Sequence, residues 1–380
     1  MLQPVTIGLL AAFVGFASSF AVVLAGLAAV GASPAQAASG LVILSAVMGL
    51  LGLLFSLRWR MPVSVAWSTP GAALLVTSGV PAGGFAAAVG AFLFCAALIV
   101  LAGLSRPVAR AVERIPAPIA GAMLAGVLLD LCLAPVRAVA EIPWLALPVV
   151  LAWAVMLRLN RLWAVPVAVL VAMLGIAFGV GWPAGVSLSA PRLEWVWPAF
   201  EVQALIGIGL PLFLVTMASQ NLPGYAVLRA NGYGPPIAPI FVGTGAGSVV
   251  TAAFGGQAVN LAAITAALCA GPEAHPDPAR RWVAAVVTGL GYLGFALIAG
   301  AAAAFVAAAP PVLIQAVAGL ALLTSLAGAL SAALAVEETR LPAVLTFVVT
   351  ASGLSVAGIG AAFWGLMAGV GLLALLRPKP

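Results

Sequence analysis

Long apolar runs, separated by short polar or basic connections, fill the whole chain. Most of the runs are long enough for a helix to cross the hydrocarbon core of a bilayer, which takes about 20 residues. Inside a bilayer each segment must satisfy its own backbone hydrogen bonds, so the pattern predicts an all-α polytopic membrane protein. About fourteen runs are predicted, at residues 5–30, 36–57, 62–79, 83–104, 117–135, 143–157, 162–181, 202–228, 236–254, 257–271, 282–308, 311–336, 341–353 and 357–376.

The run at 62–79 is too polar and too interrupted for an ordinary membrane helix. Its first part, Val63 to Trp67, is expected to be extended, and an apolar helix is expected to resume from Ala72. Thr69 is the expected N-cap of this half-helix, and Pro70 its first helical residue. The positive end of a half-helix at membrane depth is a device that transporters use to hold a charged substrate.

The run at 257–271 is also too short for a simple span, which makes it the counterpart of the first broken segment. Residues 105–116 are expected to form an amphipathic helix at the membrane interface. Residues 182–197, rich in tryptophan, are expected to form an outer interfacial belt and loop.

Composition agrees with this class, because hydrophobic residues make up 64% of the chain and charged residues 6%. Within these 380 residues no second, soluble domain is expected beside the membrane helices. The net charge of +6 does not indicate nucleic acid, since the basic residues are scattered at the predicted helix ends. Each cysteine lies alone in an apolar run, which favours packing over a disulfide or a metal site, and no cofactor is expected. The cysteines are Cys95, Cys132 and Cys269.

The basic residues predict the orientation of the chain in the membrane. With a cytoplasmic N-terminus, thirteen of the fifteen Lys and Arg residues fall on the cytoplasmic side, and only Arg137 and Arg192 fall outside. This bias fits the positive-inside rule, so both termini are expected to be cytoplasmic. The N-terminal run is expected to be a first span and not a cleaved signal peptide.

The two halves of the chain resemble each other weakly. Residues 17–19 (ASS) match 218–220 (ASQ), and residues 66–68 (AWS) correspond to 258–260 (AVN). Seven spans in each half is an odd number, so the halves must have opposite orientations, as in an inverted repeat. The expected units are a first repeat at 1–181, an external loop at 182–201 and a second repeat at 202–380.

Several motifs in the chain are long and specific: residues 60–62 (RMP), 66–74 (AWSTPGAAL), 219–224 (SQNLPG), 256–265 (GQAVNLAAIT) and 358–366 (GIGAAFWGL). On these motifs nearly the whole chain resembles the benzoate/proton symporter family. The resemblance implies proton-coupled benzoate uptake across a bacterial inner membrane. It also implies the fold of nucleobase and sulfate transporters, with a core and a gate domain. In that fold the third and tenth segments are each a strand plus a half-helix, and substrate lies between them beside the eighth.

The polar residues of the two broken segments are the first candidates for substrate binding. Ser68, Thr69 and Asn260 are expected to cap the half-helices, and a capped helix end is itself an anion site worth up to about 2 kcal/mol when partly buried. The resemblance places Gln220 and Gln257 where nucleobase relatives carry acidic residues. Neutral amides can donate to a carboxylate, although they can equally bond a neighbouring backbone at a helix break.

Further candidates complete the expected site. Ser18 and Ser19 either line the pocket or bond their own helix backbone. The benzoate ring needs an apolar or aromatic slot, for which Tyr225 is a candidate. Packing alone is the alternative for this ring and for the other aromatic residues nearby in sequence, which are Phe16, Phe20, Trp67 and Phe254.

A proton carrier is the least evident part of the sequence. Asp130 and Glu337 are the acidic candidates, yet Asp130 can pair with Arg137, and Glu337 lies next to Arg340 in a position for a surface ion pair. The proton can instead travel with water or on the substrate carboxylate.

The sequence thus predicts a secondary transporter that imports benzoate with protons by movement of a core domain against a gate domain. Its expected partners are an aromatic carboxylate, protons and membrane lipid, with a homodimer as one possible assembly. Three alternatives remain: a transporter of the same fold for another aromatic acid or a nucleobase, an uncoupled anion channel-like protein, and an intramembrane enzyme. The enzyme is disfavoured because no catalytic cluster is evident at membrane depth.

Overall fold

Helices make up most of the chain, and two short strands interrupt them. The computed structural model describes residues 2–105, 107, 116–179 and 192–376, so most of the predicted interfacial helix at 105–116 and most of the tryptophan-rich stretch lie outside the described residues. The elements are α1 Leu2–Ala17, α2 Phe20–Ala29, α3 Pro34–Trp59, β1 Val65–Trp67, α4 Thr69–Ser78, α5 Gly84–Leu104, α6 Ala117–Glu141, α7 Pro143–Leu159, α8 Ala164–Gly179, α9 Val202–Ala230, α10 Ile237–Ala253, β2 Val259–Leu261, α11 Ile264–Ala270, α12 Trp282–Ala308, α13 Pro311–Leu334, α14 Arg340–Ala351 and α15 Ala361–Leu376.

Membrane-spanning length is reached in several of these elements. Within the described residues, eight helical stretches are long and apolar enough to cross a membrane, with α1 and α2 counted together as one. The chain is therefore a mostly helical membrane protein. Helix, or a strand followed by helix, occurs at each of the fourteen predicted apolar runs, whereas the number of crossings and the inverted repeat stay predictions.

The first apolar run is interrupted, where the sequence predicts a single segment at 5–30. Helix α1 ends at Ala17 and α2 begins at Phe20, with Ser18 and Ser19 in the turn between them. Both hydroxyls donate to the carbonyl of Gly15, at 3.4 and 3.0 Å. Serine hydroxyls that bond the preceding turn compete with the helical backbone bonds and bend helices, which accounts for the break.

Strands β1 and β2 form an antiparallel pair in which Ala66 lies opposite Asn260. The two broken segments therefore meet through their extended parts. In a membrane interior the outer edges of such a pair need partners. Ser248 of α10 accepts from the Val259 N–H at 2.9 Å, and Asn221 of α9 accepts from the Leu261 N–H at 2.9 Å. Side chains of neighbouring helices thus satisfy backbone groups that a continuous helix would have satisfied itself.

The helices pack in two groups around this strand pair. In one group α12 packs on α1 and α3, α10 packs on α5, and α4 packs on α2. In the other group α6 packs on α13 and α14, α14 on α15, and α7 on α8. Fewer contacts join the groups, chiefly between α4 and α6 and between α2 and α13. The strand pair and both short helices belong to the first group, which places the candidate site there.

Candidate functional site

Ser68, and not Thr69, caps the first short helix. The Ser68 Oγ accepts from the Gly71 N–H at 3.1 Å, and Thr69 is already the first helical residue of α4. The predicted cap at Thr69 and the predicted helix start at Ala72 are therefore wrong. Serine is a strong N-cap because its oxygen replaces one missing helical acceptor, and this choice leaves the Thr69 side chain free to face a cavity.

Buried polar side chains of α9 and of the second broken segment hold Ser68 in place. Thr216 of α9 donates to the Ser68 Oγ at 2.8 Å, and the Gln257 Nε2 donates to the Ser68 carbonyl at 2.8 Å. With its amide oriented to satisfy both of its atoms, Asn260 accepts from the Ser68 N–H at 3.0 Å. Ser68 is itself fully buried. Its hydrogen bonds thus connect the two broken segments with each other and with α9.

We expect Ser68→Ala to lower the free energy of unfolding by about 2–3 kcal/mol, because it removes an N-cap worth about 0.5–2 kcal/mol and leaves the buried Thr216 hydroxyl without its acceptor. Unfolding in mixed detergent micelles measures the change. Ser45→Ala is the matched control, since the buried Ser45 hydroxyl donates only to the Leu41 carbonyl of its own helix. Equal losses in the two variants would contradict the role given to Ser68.

Asn260 is not a helix cap. It lies within β2, three residues before the N-cap position Ala263 of α11, and no side chain caps that helix. The prediction of a cap at Asn260 is therefore wrong. The extended backbone of β2 carries the Asn260 amide towards Ser68, where it supports the crossing of the segments.

Gln220 lies in a widened stretch of α9. Residues Met217–Asn221 form a π-helical turn, and a second one spans Leu205–Gly209. Such turns insert an extra residue into a helix and are frequent at functional sites. Here the turn places Asn221 against β2 while Gln220, the preceding residue, faces the cavity beside α4.

A small cavity with both polar and apolar lining lies where the broken segments, α1 and α9 converge. Its volume is about 50 Å³. This space suits a few water molecules and is well below the roughly 300 Å³ at which small-molecule sites begin. The polar side chains of the lining are those of Ser18, Ser19, Thr69, Gln220, Thr265 and Tyr292, together with the indole of Trp67.

Thr265 and Tyr292 were not among the predicted site residues. Both are buried, with exposed fractions of 3% and 1%, and the Thr265 hydroxyl makes no hydrogen bond within the described part of the chain. The Tyr292 hydroxyl lies against Gly15, where a Cβ atom would collide with it. A polar residue inside an apolar run is the signal that points to Tyr292, because buried polar groups in spans are commonly functional.

The other predicted site residues divide into three sets. Thr69, Gln220, Ser18 and Ser19 line the cavity. Ser68, Asn260 and Gln257 stand behind it and hold the strands together. Gln257 bonds the Ser68 backbone, as the backbone-bonding alternative predicts, and its role towards a substrate stays a prediction. Tyr225 packs half-buried against the core and is not part of the cavity wall.

Trp67 is the aromatic wall of the cavity. Its Nε1 donates to the Ser19 Oγ at 2.8 Å, which fixes the ring at the break between α1 and α2. On its other side the ring meets Phe16, with ring centroids 5.6 Å apart. The site therefore combines neutral hydrogen-bond donors with an aromatic surface.

The acidic candidates lie elsewhere. Asp130 is exposed, pairs with Arg137 at 2.8 Å and lines a separate cavity of about 300 Å³ between α4, α6, α9 and α14. Glu337 is exposed in a short turn, and the expected ion pair with Arg340 is not formed, because Arg340 donates instead to the Leu334 carbonyl at 3.1 Å. Among the described residues no acidic side chain is buried.

Comparisons with known proteins match the chain almost end to end. The model of the family described as benzoate membrane transport protein matches residues 2–375. The inner membrane protein YdcO of Escherichia coli is 42% identical over 95% of this chain and 93% of its own length. The benzoate membrane transport protein of Acinetobacter baylyi is 34% identical over 86% of this chain and 84% of its own length.

Solved structures share the fold at low sequence identity. The transmembrane domain of the cyanobacterial bicarbonate transporter BicA matches with a TM-score of 0.62 at 16% identity, over 97% of this chain and 98% of that one. Murine Slc26a9, an anion transporter in its inward-facing state, matches with a TM-score of 0.63 at 13% identity, over 99% of this chain and 68% of that one. The helices and the strand pair described above therefore follow the architecture of these membrane domains.

Proposed function

This chain belongs to the benzoate membrane transport protein family, and we propose that it imports benzoate or a closely related aromatic carboxylate together with protons across a bacterial inner membrane. The observation that carries the proposal is the chemistry of the small cavity. Its polar side chains are hydroxyls, an amide and an indole, and its remaining wall is aromatic or apolar. A ring with one carboxylate matches both parts of this lining.

The carboxylate is held by neutral donors. Thr69, Gln220 and Thr265 each present a hydroxyl or amide that can donate to an anion. Hydrogen bonds to a charged group contribute about 1.5–3 kcal/mol each, more than neutral ones. The Thr265 hydroxyl is the sharpest case, because it is buried beside the Tyr292 side chain without a hydrogen bond of normal geometry, and it can turn its hydrogen towards the substrate. The dipole of α4, which begins at Thr69, adds a favourable field.

Transport proceeds by movement of one helix group against the other. The group with the strand pair is the core domain, and the group with α6, α7, α8, α13, α14 and α15 is the gate domain. The sparser contacts between the groups support this division. The cavity of about 50 Å³ is too small for a ring, so the site widens when the groups part. Fourteen segments in two inverted repeats, with both termini cytoplasmic, complete the proposed topology.

A proton accompanies the anion as a neutral pair. Moving one negative charge inward against an inside-negative potential costs about 2.3 kcal/mol per 100 mV, and one proton cancels this cost. Within the part of the chain that the structure describes, no acidic side chain lines the cavity. We therefore place the proton on the substrate carboxylate or on water beside it, rather than on Asp130 or Glu337.

Uptake of labelled benzoate into proteoliposomes tests the proposal. We expect accumulation when the outside is acidic, no dependence on an imposed membrane potential, and no competition by uracil. Protein-free liposomes are the control, because neutral benzoic acid crosses lipid by itself. Uptake indifferent to the pH gradient would overturn proton coupling, and competition by uracil without competition by unlabelled benzoate would overturn the substrate.

A further inference from the structure

A large apolar crevice lies on the far side of the aromatic wall. It runs between α1, α8 and α12 and has a volume of about 620 Å³. Its lining includes the rings of Phe13, Phe16, Phe20 and Phe295. The crevice therefore lies between the helix group that holds the candidate site and the group that includes α8.

The rings of Phe16 and Trp67 together separate this crevice from the small cavity. Phe16 lines the crevice, Trp67 lines the cavity, and the centroids of the two rings are 5.6 Å apart. Phe16 also stacks on Phe295 at 4.6 Å and on Phe20 at 5.4 Å, and only 5% of it is exposed. One pair of contacting rings thus lies between two spaces of very different size.

The two spaces are complementary in chemistry. The polar cavity offers donors for a carboxylate but has no volume for a substituted ring. The crevice offers volume and aromatic surface, and aromatic pairs gain from offset or edge-to-face contact beyond their buried area. An acid whose carboxylate contacts Thr69 and Thr265 reaches the larger space only if its ring lies on the Trp67 side.

We propose that the crevice is the ring-side extension of the binding site, and that Phe16 sets the largest aromatic acid the protein accepts. Displacement of the Phe16 ring leaves the Trp67 ring as the remaining wall and gives it room to move, so that the two spaces join when the site widens, and the occupant of the inner end of the crevice is then the ring of the substrate or its substituents. This inference rests on the proposed function, since it assumes that an aromatic carboxylate binds beside Thr69 and Thr265.

The test compares Phe16→Ala with Phe13→Ala in proteoliposomes. Phe13 lies one turn earlier on the same helix and lines the same crevice, but its ring partners are Trp163 and Phe295 and not Trp67. Inhibition of labelled benzoate uptake is measured for 2-naphthoate and for unlabelled benzoate. In Phe16→Ala we expect the inhibition constant of 2-naphthoate to fall at least tenfold relative to that of benzoate. In Phe13→Ala we expect the ratio of the wild-type protein.

Phe16→Leu is a second variant, made in case Phe16→Ala does not fold. It removes the aromatic ring while keeping most of the buried volume, and it is expected to shift the ratio of inhibition constants in the same direction. An unchanged ratio in both Phe16 variants, with benzoate uptake intact, would overturn the inference and leave the proposed function standing. An equal gain in Phe13→Ala would also overturn it, since the crevice would then be a lipid-filled surface. A wild-type protein that does not take up benzoate would overturn both.

Discussion

Gln220→Glu is expected to weaken benzoate binding at pH 7 at least 100-fold. The substitution keeps the size of the side chain but places a carboxylate in a cavity proposed to bind another carboxylate. Two like charges 4 Å apart repel by about 4 kcal/mol at an effective dielectric constant near 20, and each 1.4 kcal/mol is a tenfold change in affinity. Isothermal titration of the detergent-solubilised protein with benzoate measures the effect.

The pH dependence of this variant has a definite sign. Protonation of the introduced carboxyl removes its charge and with it the repulsion of the substrate anion. Binding is therefore expected to recover partly when the pH is lowered from 7. Gln203→Glu is the control: it makes the same change on α9 at an exposed position near the start of the helix. A similar loss in the control, or none at Gln220, would place the anion elsewhere.

Arg281→Met is expected to lower the free energy of unfolding by about 3 kcal/mol or more, from hydrogen bonds to a charged group worth about 1.5–3 kcal/mol each. Arg281 is buried, and its guanidinium donates to the carbonyls of Ala270, His275 and Pro276 at 2.8, 2.7 and 3.4 Å. Ala270 is the last residue of α11, where a cation also stabilises the negative end of the helix. The residue thus anchors the short helix that carries Thr265.

Arg280→Met separates this anchoring from a general loss of charge. Arg280 is the adjacent residue, but its side chain is 65% exposed, and its ion pair with Asp277 is long, at 3.6 Å. Exposed ion pairs contribute about 0–1 kcal/mol, so Arg280→Met should change stability little. We further expect Arg281→Met to weaken benzoate binding, because α11 loses the contact that fixes its end. Unfolding in mixed micelles and benzoate titration measure the two effects, and similar stability in both variants would contradict the anchoring role.

The broken segments show which features of the site could be predicted from the sequence. Their location was predictable, because Ser, Thr, Asn and Gln side chains interrupt otherwise apolar runs, and polar groups are rare at membrane depth. The residue at which α4 begins after β1 was not predictable. Ser68 and Thr69 are both good caps, and the choice between them depends on Thr216, Gln257 and Asn260, which approach Ser68 from distant parts of the chain.

This one-residue choice decides which side chains can touch a substrate. When Ser68 takes the cap, Thr69 turns towards the cavity, and Gln257 and Asn260 are drawn behind it. Tyr292 was missed for a related reason: it is a lone tyrosine in a long apolar helix, and only the packing of α12 against α1 brings its hydroxyl to Gly15.

The sequence by itself determined the membrane class, the positions of the apolar segments and the two interruptions among them, because these depend on composition and on local patterns of apolar residues. The resemblance to the family came from its specific motifs. The tertiary structure decided which polar residues face the cavity and which support it, and it placed Phe16 between the apolar crevice and Trp67. The physical reason is that a buried polar side chain must find a partner. In this protein the partners lie on other helices, far away in sequence.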